Sequence, residues 1–81
     1  MTIAVTAHYF AVFRERAGRA SETVSTSSTT ARELYAEIAG RHDFADGHER
    51  CKVAINGALA TWDATLESGD EILFFPPVAG G

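Results

Sequence analysis

An α+β fold, with a mixed sheet packed on one main helix and an extended tail behind the last strand, is predicted by three observations. Near the start, Ile3, Val5, Ala7 and Tyr9 alternate with more polar neighbours, the period of two that a half-buried strand imposes. Past Thr30 the apolar spacing becomes helical through Ala31, Leu34, Tyr35 and Ile38, since residues three and four apart share a helix face. Beyond that helix, "KVAINGALATW" places Asn-Gly between two short β-prone runs, a strong hairpin signal because both turn residues tolerate positive φ. A single helix between strand-rich segments has to cover one face of the sheet that they form.

The first strand is expected to run to Phe10, which falls on the polar side with Thr6 and His8. A large aromatic on that side is out of place in a simple inside-outside pattern. "RERAGRAS" breaks the alternation at Gly18 and leads to "SETVSTSS", read as a second, more exposed strand paired with the first. Thr30 and Glu33 form a capping box, so a helix is expected over residues 31–40. "RHDFADGHER" reads as a loop anchored by Phe44. A strand then runs into Asn56-Gly57 and returns through "ALATW", and "LESGDE" turns the chain into a last strand over residues 71–75. There Phe74 and Phe75 must point to opposite faces.

With 81 residues, the chain has the length of one domain over residues 1–81, burying about two-thirds of its unfolded surface. The 46% hydrophobic and 22% charged content is that of a globular protein. A net charge of −4 and a single lysine, Lys52, argue against nucleic acid as a partner, because phosphate backbones call for clustered cations. One cysteine, Cys51, cannot close an internal disulfide, which suits a reducing cytoplasmic setting. The N-terminal residues lack a basic signal region, and no run approaches the roughly 18 apolar residues of a membrane span.

Conventional catalytic groups are sparse. His8, His42 and His48 lie at no metal-ligand spacing and are read as surface residues. Lys52 beside Cys51 can favour a thiolate, against the simpler reading of an unreactive thiol at a strand entrance. Asp63, Glu67, Asp70 and Glu71 each stand beside a turn signal, where carboxylates commonly cap backbone amides. No glycine-rich phosphate loop is present in the sequence.

Chemistry is left to the tail "FFPPVAGG". Pro76 and Pro77 fix φ and end the strand, so a flexible tail over residues 76–81 has a stiffened root. Gly80 and Gly81 then let bare backbone enter a channel too narrow for any Cβ. A terminal carboxylate on Gly81 can be activated as an acyl-adenylate and converted by a sulfur nucleophile to a thiocarboxylate.

Over its whole length the chain resembles the small subunits of molybdopterin synthase, the MoaD family of ubiquitin-like sulfur carriers. The resemblance rests on "SGDEILFFPPVAGG", with support from "YFAVFRERAG" and "VAINGAL". It implies a ubiquitin-like β-grasp fold, in agreement with the order of elements read above. It also implies that the chain is not an enzyme by itself but the sulfur donor of a complex. An activating adenylyltransferase would use ATP to load Gly81, and no cofactor would be bound permanently. The large synthase subunit would receive the tail, in a heterotetramer of two small and two large subunits that converts cyclic pyranopterin monophosphate to molybdopterin. Phe10, Leu59 and Phe75 match the family's docking positions, with Pro76, Pro77 and Val78 following them into the partner. The residues alone leave open a carrier for thiamine, cysteine or tRNA thiolation, a protein modifier joined through Gly81, and an interaction domain whose tail does no chemistry.

Overall fold

The computed structural model describes residues 2–76, so the expectations for Pro77, Val78, Gly80 and Gly81 lie outside the described residues. β1 (Ile3–Tyr9) and β2 (Ser21–Thr26) form an antiparallel hairpin, bridged by a short helix α1 (Val12–Ala17). The main helix α2 (Ala31–His42) follows, then β3 (Lys52–Ile55), β4 (Ala58–Ala60) and β5 (Glu71–Phe75). The sheet order is β2-β1-β5-β3-β4. β5 lies parallel to β1 and antiparallel to β3, which makes the sheet mixed, as the sequence predicts.

Strand alternation sends Val5, Ala7 and Tyr9 of β1, Val53 of β3, and Ile72 and Phe74 of β5 into the core. Leu34, Tyr35 and Ile38 of α2 cover them. Removing these side chains from water is the main source of folding free energy. Phe44 is the loop anchor expected of it: its ring stacks on Phe13 at 4.5 Å and meets Tyr9 edge-on at 5.9 Å. Trp62 lies nearly parallel to Phe74, with centroids 6.1 Å apart, and donates its indole N–H to the Cys51 carbonyl.

Both ends of α2 follow from named residues. The Thr30 hydroxyl accepts from the Glu33 amide at 3.3 Å, and Glu33 Oε1 accepts from the Thr30 amide at 3.3 Å. That reciprocal pair satisfies two amides which a helix start leaves without partners. At the other end, Gly40 does not stop the helix. It continues to His42 and closes at Asp43, which takes a left-handed conformation with φ 59. Asp is one of the few residues besides glycine that visits this region readily.

Other segments also depart from the sequence reading. "RERAG" belongs to helix α1, whose amphipathic pattern is confined to the one buried side chain Phe13 and which ends at Gly18 with φ 76. A single 3₁₀ turn, His48–Arg50, interrupts the expected loop. β2 is, as expected, the more exposed partner of β1: Ser21, Thr23 and Ser25 face solvent, with Val24 and Thr26 buried. The Asn56-Gly57 turn is as predicted, with φ 52 and 86 and Ile55 paired to Ala58 across it.

Candidate functional site

Side chains that alternate away from the core build the outer face of the sheet. On β5 these are Glu71, Leu73 and Phe75, and the pairing places Ala54 beside Leu73 and Lys52 beside Phe75. Leu59 of β4 lies opposite Ala54, and His8 of β1 lies opposite Leu73. One row therefore crosses four strands as Leu59, Ala54, Leu73 and His8. Phe10 leaves the end of β1 and meets Phe75 edge-on, with ring centroids 5.8 Å apart.

Large apolar side chains stand exposed on this surface. Leu59 is 76% exposed and Phe10 is 56% exposed. Phe75 is half-buried beside a fully buried Phe74. Leu59, which sequence alone leaves between inward and outward, points outward. Val12, at the start of α1, adds a further exposed aliphatic. Single exposed hydrophobics are common, whereas Phe10 and Phe75 touch each other and form one contiguous apolar surface. Pro76 follows Phe75 directly, so this patch lies at the root of the tail.

The sequence does not reveal how the rest of the face is shaped. Ala54 has a small side chain between larger neighbours, and a depression of about 280 Å³ opens among His8, Ala54, Gly57, Glu71 and Leu73. His8 Nε2 stands 2.9 Å from Glu71 Oε1 along its edge. Alternation alone could have assigned Leu73 to the side of Phe75. The depression depends on cross-strand register, which no single segment encodes.

Two of the turn carboxylates have structural partners. Asp70 accepts from the Asn56 side-chain amide at 3.0 Å and from the Glu67 backbone amide at 2.8 Å, fixing the turn before β5. Asp63 forms an ion pair with Arg32. These carboxylates thus do not converge, and no group of three metal-ligating side chains occurs among the described residues. The Cys51 thiol is buried, and burial pushes its pKa up despite the opposing hydrogen bond with Tyr35. Lys52 does not make it a thiolate, and the inert reading holds.

His42 corrects the expectation of surface histidines. Its side chain is only 15% exposed, and its Nε2 lies 2.6 Å from Glu22 Oε2, to which the Tyr9 hydroxyl also donates. Burial pushes Glu22 up, but hydrogen bonds from Tyr9 and His42, together with the charges of His42 and Arg19, outweigh it and hold the carboxyl below its usual range. Burial and the Glu22 carboxylate together raise the Tyr9 hydroxyl far above its ordinary value. This network joins β1, β2 and the end of α2 on the side of the sheet away from Phe10 and Phe75.

Comparison with known proteins places this geometry. A profile of the ThiS family matches residues 7–81. The molybdopterin synthase sulfur carrier subunit of Escherichia coli (strain K12) is 35% identical over 78 residues, covering 90% of this chain and 94% of that one. Among solved structures, a putative molybdopterin converting factor subunit 1 from Pyrococcus furiosus superposes with a TM-score of 0.78 at 32% identity, covering 94% of this chain and 99% of that one. A chain in the complex of subunits 1 and 2 of the molybdopterin-converting factor from Helicobacter pylori matches with a TM-score of 0.63 at 25% identity, covering 98% of this chain and all of that one. Sequence over nearly the full length and a shared ubiquitin-like β-grasp architecture agree, and this chain belongs to the ThiS family, among its MoaD-type members.

Proposed function

We propose that this chain is the sulfur carrier subunit of molybdopterin synthase. The observation that supports it most is the position of the uncovered aromatic pair, Phe10 against Phe75, at the root of the segment that runs through Pro76-Pro77 to Gly80-Gly81. Phe10, Phe75 and the outward Leu59 dock on the large subunit, and Pro76, Pro77 and Val78 lead the tail into its active site. Gly80 admits the backbone and Gly81 carries the reacting carboxylate.

In the activating adenylyltransferase, the Gly81 carboxylate attacks the α-phosphate of ATP and releases pyrophosphate. A sulfur nucleophile at the oxidation level of sulfide then displaces AMP and leaves a thiocarboxylate. Docked on the large subunit, the thiocarboxylate gives its sulfur to cyclic pyranopterin monophosphate and is returned to a carboxylate by water. The folded domain takes no part in bond making. It presents the tail and identifies the partner.

Intact mass of the chain produced together with its activating enzyme and a sulfur donor tests this reading. One oxygen replaced by sulfur, localised to Gly81, is the expected result. A chain that never acquires sulfur, or that is recovered joined to lysines of other proteins, contradicts it.

A further inference from the structure

The depression on the outer face is a candidate specificity pocket that the aromatic pair does not account for. Its wall and floor are the side chains of Leu73 and Ala54 with the Gly57 backbone, and its polar edge is the His8 and Glu71 pair. At about 280 Å³ it has room for one large side chain. The Glu71 side chain is 65% exposed, so its carboxylate is available to a second molecule. Glu71 stands at one end of the outward row of β5, whereas Lys52 stands at the opposite end beside Phe75. His8 holds one oxygen of this carboxylate at 2.9 Å; an acidic partner group over the depression would be repelled by Glu71, whereas a basic one is complementary.

We infer that this depression receives one branched aliphatic or aromatic side chain of the large subunit, flanked by an arginine or lysine that pairs with Glu71. The inference rests on the docking reading proposed above and adds to it the chemistry of the partner's contact. Charge polarity along the face, acidic at the Glu71 end and basic at Lys52, sets the direction in which the partner lies. The depression then fixes the register of docking, much as a knob entering a hole does. Correct register is what delivers the tail to a narrow channel.

Calorimetric binding of the purified cognate large subunit to four carriers provides the test: wild type, Ala54→Leu, Glu71→Lys and Phe75→Ala. Ala54→Leu fills the depression from its floor and is expected to weaken binding about tenfold or more, the scale of a blocked anchor pocket. Glu71→Lys is expected to weaken binding and to flatten its dependence on salt. Wild-type affinity in both, with Phe75→Ala weakened, overturns the pocket and leaves the docking reading standing. Wild-type affinity in Phe75→Ala as well overturns both. Should Ala54→Leu fail to fold, methyl resonances of Ala54 and Leu73 in the wild-type carrier decide instead: displacement on adding the large subunit supports the pocket, and unmoved resonances overturn it.

Discussion

Phe74 and Phe75 are neighbours with the same side chain and opposite duties. Phe74 is fully buried, against the rings of Tyr35 and Trp62. Phe75 faces outward and, among the described residues, packs edge-on against one other aromatic ring, that of Phe10. Nothing in residue type separates them; strand alternation does. The inner face of the sheet holds the fold together, and the outer face keeps apolar side chains such as Phe75 and Leu59 without a comparable share in it. A fold that leaves aromatic surface in water on one face accepts a solubility cost that association with a partner removes.

Substitutions on the two faces sharpen this contrast. Phe74→Ala is expected to lose about 3–5 kcal/mol of stability, the usual result of emptying a packed aromatic site. That is a large share of the total for so small a domain, and a denaturant titration reads it directly. Phe75→Ala is expected to leave the unfolding midpoint nearly in place while costing about 2–4 kcal/mol in large-subunit affinity by calorimetry. If Phe75→Ala destabilised the fold as much as Phe74→Ala, the division between the faces would be wrong. Leu59→Ala belongs to the outer set and is expected to weaken binding by about 1–2 kcal/mol with stability unchanged.

Smaller effects test the scaffold behind the inner face. Thr30→Ala removes the helix cap and is expected to cost about 1 kcal/mol in a denaturant titration, without changing affinity. The Glu22 carboxyl titrates below its ordinary range in the folded chain. Its contribution to stability is therefore complete above the unfolded carboxyl's pKa and is lost as pH falls through the lower folded value. Glu22→Gln is expected to flatten the acid limb of the stability profile, since the amide has no charge to lose. An acid limb as steep as that of the wild type would show that other carboxylates carry it.

Much of this contrast is legible in the sequence. Period-two spacing identifies the buried side of β1, whereas in β5 it puts Phe74 and Phe75 on opposite faces and only the family resemblance implies that Phe75 is the outward one. The capping box and the Asn-Gly turn are local chemistry and stand where they are expected. What escapes is whatever depends on distant partners. α1 has six residues and one apolar anchor, too short for a periodic signal, and it is held by the stacking of Phe13 on Phe44. The Tyr9, Glu22 and His42 network joins three elements, and its members look like ordinary strand and helix polar residues until the fold brings them together. The depression at Ala54 likewise exists only when β1, β5 and β3 lie side by side in register.

The carrier reading comes down to Gly81. Its deletion moves the terminal carboxylate back by one residue, whereas exposed terminal changes alter stability by less than about 0.5 kcal/mol. The measurement is molybdopterin formation from purified cyclic pyranopterin monophosphate, the large subunit and a carrier exposed beforehand to its activating enzyme, with an unfolding curve for the same samples. The account predicts no product from the Gly81 deletion and an unfolding midpoint that matches the wild type. Substantial product from the deletion contradicts transfer through a Gly81 thiocarboxylate, and joint loss of product and fold shows that the tail is structural.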